Sequence, residues 1–285
     1  MTNITQSVRL SVQSIQPRKR QALVALLVST STILGLLPGT LSAGKAEVIG
    51  QDNRTTPAYD WLTRPGQQRS AFGQLEIKQQ DNNYKSCSFV VVGRNIGMTA
   101  AHCVMDKQGK PVAQIKAYAA RHGNYPGTYT PRYKAMANVD WFARGTQVYP
   151  STVETFAKDW ALIHFSTNIG DVTGWVGNVN YGSGGSQLNG QMTNYIGYPS
   201  DWPSSTPAMH AGCRFTRFSQ KMIFHDCDTA PGTSGAGMYY KLTDTDIRTQ
   251  AVNNSQGWRF TDGSRANGAV PLDTFMPTLK YYRGY

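Results

Sequence analysis

Two distant stretches of the sequence decide its fold class: Thr99-Ala100-Ala101-His102-Cys103 and Pro231-Gly232-Thr233-Ser234-Gly235-Ala236-Gly237. A serine hydroxyl is a weak nucleophile at neutral pH, and it needs an imidazole within hydrogen-bond reach to accept its proton. The imidazole in turn needs a buried carboxylate, which fixes its tautomer and stabilises its charged form. His102 and Ser234 therefore predict that a carboxylate completes the set from a third motif between them.

Asp159 is the candidate carboxylate. In Asp159-Trp160-Ala161-Leu162-Ile163 a single acid stands at the start of a short apolar run, which is typical of a buried strand. The order along the chain is then His102, Asp159, Ser234. Chymotrypsin-type enzymes have this order, whereas α/β-hydrolases run Ser, Asp, His and subtilisins run Asp, His, Ser.

The glycines beside the serine predict an oxyanion hole. Gly232 can adopt backbone angles that are closed to other residues, so the amides of Gly232 and Ser234 can converge on one point. The motif departs from the G-x-S-x-G elbow of α/β-hydrolases at its last position, which is Ala236. The two amides are therefore the expected donors to a tetrahedral intermediate.

Asp140 is a rival for the carboxylate position. It is followed by Trp141 and Phe142, but the chain then continues with Ala143-Arg144-Gly145 rather than with an apolar run, so Asp159 is preferred. Each motif taken alone is typical of a turn or of a packed side chain. The prediction rests on the motifs occurring together and in order.

The first 46 residues have the outline of a secretory signal peptide. Arg18-Lys19-Arg20 precedes an apolar stretch from Ala22 to Leu37, and small residues then lead to Ala43 and Ala46. The alternative is a membrane anchor, but the stretch is shorter than the roughly 20 apolar residues that span a bilayer. We expect export to the extracellular space or periplasm, cleavage near Ala46, and no membrane anchor afterwards.

The segment after Ala46 resembles a known family. Glu47 to Thr55 is similar to the mature start of glutamyl endopeptidases of the staphylococcal V8 type and their Bacillus relatives. The Gly-Tyr-Pro turn at 197–199 and Asn267-Gly268-Ala269-Val270 also match that family. The resemblance extends from about residue 48 to about residue 280. It implies a C-terminal helix that packs against a second barrel, for which Thr274 to Tyr282 is the best candidate.

The resemblance implies an all-β fold of the chymotrypsin type. It predicts one peptidase domain, 47–285, made of two six-stranded antiparallel β-barrels at about 47–165 and 166–285. The residues themselves favour the same class, because short β-rich runs such as 88–92 and 160–165 are separated by Gly, Pro, Asn and Ser.

Four cysteines in an exported chain should be oxidised. Chymotrypsin-like proteases often have a disulfide that holds the loop carrying the base, which implies a Cys87–Cys103 bond, and Cys213 and Cys227 are then expected to pair. The alternative for the second pair is a zinc site, whose ligands would be His210, Cys213, His225 and Cys227. This spacing is not that of a recognised zinc finger. We therefore expect two disulfides and no metal.

The charge balance argues against a nucleic-acid partner. The chain has 28 Lys and Arg against 17 Asp and Glu, a net charge of +11. Five of the basic residues and none of the acids lie in residues 1–46, so residues 47–285 carry +6. Such a charge indicates solubility or attraction to acidic surfaces. The aromatic segment Tyr118–Tyr133, with Arg121 and Arg132, could stack on bases, but the resemblance implies an ordinary inter-barrel loop there.

Substrate selection in this fold depends on a pocket whose walls precede and follow the nucleophile. The pocket candidates are Asp228, Thr229, Asn253 and Asn254. Asp228 lies six residues before Ser234, as does the acid with which trypsin-like enzymes bind Arg or Lys. The resembled glutamyl enzymes can also have Asp-Thr here, with the carboxylate turned away from the pocket. Broad cleavage is slightly favoured over cleavage after Arg or Lys.

The position of Asn253 argues against strict selectivity for glutamate. The resembled family has a histidine there, and an uncharged amide cannot offset the charge of a buried carboxylate.

These features predict a secreted, monomeric serine endopeptidase that acts on proteins or peptides and needs no cofactor. Two alternatives remain open. One is a protease-like binding or adhesion protein without turnover, and the other is an esterase that uses the same three residues. Cleavage of proteins, rather than of activated esters alone, separates the esterase from the peptidase.

Overall fold

The computed structural model describes residues 47–123, 131–179, 181–182, 184–243 and 245–284. The predicted signal peptide and the centre of the aromatic segment lie outside these ranges. The described residues belong to one compact unit, Gly39–Tyr285. In the described part of the chain, no helix is long and apolar enough to span a bilayer.

Six antiparallel strands form a closed barrel in the first half of the described chain. They are β1 (Phe72–Lys78), β2 (Tyr84–Val91), β3 (Ile96–Thr99), β4 (Gln114–Ala119), β5 (Ala135–Arg144) and β6 (Ala161–Phe165). Their order is β1-β2-β3-β6-β5-β4, and pairing of β4 with β1 closes the barrel. In β4, Ile115, Ala117 and Ala119 are buried at every second position, as expected for a strand with one face on a core.

The second half of the described chain forms a second β-structure. Its strands are β7 (Gly177–Asn178), β8 (Met192–Gly197), β9 (Ala208–Ser219), β10 (Met222–His225), β11 (Gly237–Lys241), β12 (Ile247–Arg259) and β13 (Arg265–Pro271). The order is β11-β8-β9-β10-β13-β12-β7, and β11 also pairs with β12. This pairing closes six strands into a ring, and the short β7 runs parallel to β12 outside it. The predicted fold class is confirmed.

The helices of the described residues are few and short. They are α1 (Tyr59–Leu62), α2 (Val153–Phe156), α3 (Ile169–Thr173) and α4 (Met276–Arg283). The C-terminal helix α4 begins two residues after the predicted start, because residues 272–274 form a separate 3₁₀ turn.

Two aromatic contacts join the C-terminal region to the first barrel and its edge. Phe275 stacks on Trp160 and Tyr282 packs on Trp141, with ring centroids 4.8 and 4.7 Å apart. Both partners belong to the first barrel or its edge, and not to the second barrel. The tryptophan faces there offer a large apolar surface.

Candidate active site

His102 and Asp159 lie together because two neighbouring strands present them. His102 is in the 3₁₀ turn that follows β3, and Asp159 stands two residues before β6. The two strands are antiparallel, with Thr99 opposite Ala161, so the end of β3 meets the start of β6. Residues 57 positions apart in the chain are thereby in contact.

Both oxygens of the Asp159 carboxylate bind His102. The backbone N–H of His102 donates to Oδ1 at 2.9 Å, and Nδ1 lies 2.8 Å from Oδ2. Asp159 is 0% exposed, whereas the His102 side chain is 14% exposed. The carboxylate therefore fixes the ring at Nδ1 and leaves Nε2 for other partners.

The rival Asp140 binds a different histidine. Its Oδ1 lies 2.6 Å from Nδ1 of His164, and the amide of Asn95 lies 2.7 Å from Nε2 of the same ring. The Asp140 side chain is 46% exposed. Both nitrogens of His164 are thus occupied, and Asp140 is engaged away from His102.

Ser234 lies on a tight loop before β11 that requires its glycines. Gly232 and Gly235 have φ angles of +95° and +86°, in the left-handed region that favours glycine. A Cβ on Gly232 would overlap the carbonyl oxygen of Tyr198, and one on Gly235 would overlap Thr99. The backbone N–H groups of Gly232 and Ser234 donate to none of the described residues. Two unpaired donors therefore stand beside the serine hydroxyl.

His102 and Ser234 line the same cleft, which has a volume of about 150 Å³. The cleft is lined by one side of β12 and by the connection between β5 and β6. Besides His102 and Ser234, its lining residues are Tyr149, Pro150, Phe156, Asn254, Ser255 and Gln256. The aromatic wall was not predictable from the sequence, because Tyr149 lies in an irregular segment and Phe156 ends the four-residue helix α2, and neither belongs to a longer apolar pattern.

Asp228 is turned toward the N-terminal segment, which we define as residues 47–56. Its two carboxylate oxygens accept the backbone N–H groups of Ile49 and Asn53, each at 2.8 Å. Its own N–H donates to Nδ1 of His210 at 2.9 Å. Asp228 is fully buried, so its charge is satisfied inside the protein.

The other three predicted pocket residues are also almost fully buried. Thr229 and Asn253 are each 1% exposed, and Asn254 is 3% exposed. The amide of Asn254 donates to the carbonyl of Phe156 at 2.6 Å. Among these residues, only Asn254 lines the cleft beside His102.

Asn253 binds a buried histidine. Its Oδ1 lies 3.1 Å from Nε2 of His225. Burial lowers the pKa of His225 to about 3, although the bond to Asn253 opposes the shift. The imidazole next to Asn253 is therefore neutral, and it brings no positive charge to this region.

Two disulfides hold the loops around the candidate site. Cys87 is bonded to Cys103, directly after His102, and Cys213 is bonded to Cys227. In the described part of the chain no cysteine is free. Both sulfurs of the alternative zinc set are thus consumed in a covalent bond, and its two histidines bind Asp228 and Asn253.

Lys85 is a further residue at the candidate site that sequence reasoning missed. Its Nζ donates to the carbonyl oxygens of His102 and Met105, each at 2.8 Å. Burial lowers its pKa to about 8, against the opposing charges of Asp106 and Asp159. The sequence has no signal for this role, because Lys85 stands near the exposed start of β2, where burial does not alternate along the strand.

No protein-family model matches the chain. The chain is 25% identical over 242 residues to a curated protein described as an extracellular metalloprotease of Bacillus subtilis strain 168, over 79% of this chain and 67% of that protein.

Solved structures of proteases share the architecture. One is a Glu endopeptidase in complex with MPD, with 22% identity, a TM-score of 0.62, and coverage of 84% of this chain and 100% of that chain. Another is the protease Anisep from Arthrobacter nicotinovorans, with 15% identity, a TM-score of 0.57, and coverage of 75% and 95%. A third is the thermostable serine protease AL20, with 14% identity, a TM-score of 0.57, and coverage of 75% and 97%. The fold is that of the chymotrypsin-like serine proteases, as the sequence motifs predicted.

Proposed function

We propose that this protein is a secreted serine endopeptidase. The observation that carries the proposal is the buried Asp159 carboxylate, 2.8 Å from Nδ1 of a histidine that shares its cleft with Ser234. Acyl transfer by a serine needs three groups: a hydroxyl, an imidazole that accepts its proton, and a buried carboxylate that binds the imidazole. Similarity to protease structures is consistent with the same chemistry.

The proposed reaction proceeds through an acyl-enzyme. The Ser234 hydroxyl oxygen attacks the peptide carbonyl while Nε2 of His102 takes its proton, and Asp159 stabilises the imidazolium. The tetrahedral intermediate collapses when His102 returns the proton to the leaving amine. Water then attacks the ester with His102 again as the base, which releases the acid and restores Ser234.

The amides of Gly232 and Ser234 would stabilise the oxyanion. Both N–H groups lack an acceptor among the described residues, and the positive φ of Gly232 suits this arrangement. Donors that are fixed before the reaction need no reorganisation when the charge develops.

We propose that the pocket for the side chain before the scissile bond contains no charged group that could select a substrate residue. The Asp228 carboxylate is used by the N-terminal segment, Asn253 is uncharged, and His225 is neutral. Burying a substrate charge against such walls is unfavourable, because nothing compensates for its lost hydration. Cleavage should therefore be broad, with no strong demand for Glu, Arg or Lys.

A metal-dependent reaction is the second candidate, because one similar protein is described as a metalloprotease. Among the described residues, two groups of possible metal ligands come together: Cys87, His102 and Cys103, and Cys213, Asp226 and Cys227. In each group the two cysteines are bonded to each other, so neither offers a thiolate. These donor sets do not fit a metal site.

Secretion and partners follow from other features. The basic and apolar pattern of residues 1–46 and the two disulfides support export, with cleavage near Ala46. We propose that residues 47–285 act as a monomer on protein or peptide substrates.

The test is the fragment profile of a denatured proteome treated with the purified protein and read by mass spectrometry. We expect many internal cuts with no dominant charged residue before the cut. A profile dominated by Glu, or by Arg and Lys, would contradict the neutral pocket. Absence of any cut would contradict the peptidase and favour the binding protein or the esterase.

A matched variant tests the role of Asp228. Asp228→Asn should keep the wild-type profile but lower the melting temperature, because the amide replaces an acceptor that the N-terminal segment needs. A changed preference for Arg or Lys in the variant would mean that the carboxylate faces the substrate.

A further inference from the structure

We infer that Asn253 and Ser88 are positioning residues that fix the oxyanion hole, and that Asn253 does not select the substrate side chain. The inference rests on the proposed function. It comes from hydrogen bonds that hold three consecutive carbonyl groups of the nucleophile loop, those of Pro231, Gly232 and Thr233.

The orientation of each oxyanion amide depends on the carbonyl of the same peptide group. In a trans peptide the C=O and the N–H point to opposite sides of the chain. The carbonyl of Pro231 accepts the backbone N–H of Ser200 at 2.6 Å, so the N–H of Gly232 points the other way. The carbonyl of Thr233 accepts Nδ2 of Asn253 at 3.0 Å, so the N–H of Ser234 is turned away from Asn253.

Asn253 holds the nucleophile loop through its backbone as well. Its N–H donates to the carbonyl of Ala236 at 2.9 Å, and its carbonyl accepts the N–H of Gly235 at 2.7 Å. Its Nδ2 also lies 3.2 Å from Oγ1 of Thr233. His225 occupies Oδ1, which leaves Nδ2 to face the loop. All polar groups of this buried side chain are therefore used inside the protein.

Ser88 binds the carbonyl of Gly232, which lies between the carbonyls of Pro231 and Thr233. Its Oγ accepts the backbone N–H of Tyr198 at 2.9 Å and donates to the carbonyl of Gly232 at 2.9 Å. Its own N–H donates to the carbonyl of Ser234 at 2.8 Å. Because the backbone N–H of Tyr198 can only donate, the hydroxyl proton of Ser88 is directed at the carbonyl of Gly232. A fully buried residue of the first barrel thus holds the loop of the second.

These contacts predict an effect on the transition state and not on substrate binding. A misaligned amide binds the developing oxyanion less well but leaves the neutral substrate almost unaffected. If Asn253 instead selected the substrate side chain, its replacement would change the residue preferred before the cut and raise KM.

The experiment compares Asn253→Asp and Ser88→Ala with wild type. Aspartate keeps the shape of asparagine but cannot donate to Thr233, and alanine removes only the Ser88 hydroxyl. Ser86→Ala is the control, because Ser86 lies on the same strand and its hydroxyl binds Gln74 instead. The readouts are kcat, KM, the fragment profile, inhibition by a peptidyl aldehyde, and thermal melting.

We expect kcat to fall by about 10²-fold in Asn253→Asp and about 10-fold in Ser88→Ala, because a misaligned donor stabilises the oxyanion less well. Aldehyde affinity should fall in parallel, while KM, the fragment profile and the Ser86→Ala control stay as in wild type. An unchanged kcat in folded variants, or a changed fragment profile, would overturn the inference. If Asn253→Asp does not fold, Ser88→Ala decides in the same way. If the wild-type protein cleaves no substrate, the proposed function is contradicted, and the inference that rests on it is contradicted as well.

Discussion

Asp159 and Asp140 each bind an imidazole, yet only one of the two carboxylates is removed from water. Asp159 is fully buried and accepts both the ring and the backbone N–H of His102, while Asp140 is half exposed beside His164. A buried carboxylate interacts strongly with its partner, whereas solvent screens an exposed one. The difference supports the proposed role of Asp159 and distinguishes two otherwise similar pairs.

Replacement of each acid by its amide tests this assignment. Asp159→Asn should lower kcat by roughly 10⁴-fold, because the amide favours the wrong histidine tautomer. Asp140→Asn should leave kcat close to wild type. Both variants are compared by peptide hydrolysis and thermal melting, and a larger loss in folded Asp140→Asn would contradict the assignment.

The sequence predicts the placement of some side chains of the candidate site but not of others. Asp159 could be predicted from the sequence, because the buried strand that follows it appears there as an apolar run. The direction of the Asp228 carboxylate could not be predicted from the sequence. It depends on the backbone N–H groups of Ile49 and Asn53, which are 179 and 175 residues away in the chain. The same limit applies to Asn253, whose partners come from two other segments.

The N-terminal segment is bound to the second barrel by charge as well as by Asp228. Arg54 forms paired hydrogen bonds with the carboxylates of Asp52 and Asp201. Burial alone would lower the pKa of Arg54, but the two carboxylates outweigh it and raise the pKa above its usual value. Asp201 directly follows Ser200, whose N–H holds the carbonyl of Pro231. The segment therefore supports the loop that carries Ser234.

Strand β2 supports the turn that carries His102 through the ammonium group of Lys85. The unfolded chain keeps the Lys85 proton up to about 10.5, whereas the folded protein releases it near 8. Between these pH values unfolding takes up a proton, so the contribution of Lys85 to the free energy of unfolding rises with pH.

Lys85→Met removes this titration. The free energy of unfolding of wild type relative to Lys85→Met should therefore increase as the pH rises from 8 toward 10.5. Urea unfolding followed by circular dichroism at several pH values measures it. A difference that stays constant or decreases across this range would show that the lysine pKa is not lowered.

The two barrels meet at the candidate site, and this apposition explains why the order of motifs predicted the fold. His102 and Asp159 come from the first barrel, and Ser234 precedes β11 of the second. The motifs thus predict an architecture that can bring the two together. They do not predict how the C-terminal aromatic residues pack, because Phe275 and Tyr282 find their partners only through the tertiary fold.

The central claim is that Ser234 is the nucleophile of a folded, active peptidase. Labelling with a fluorophosphonate tests it most directly, with the modified peptide identified by mass spectrometry and activity measured on the same samples. Wild type should be labelled at Ser234 alone and lose activity as labelling proceeds. Ser234→Ala should melt at the wild-type temperature, take up no label and lose roughly 10⁶-fold in kcat. Undiminished labelling or peptide cleavage by Ser234→Ala would contradict the claim.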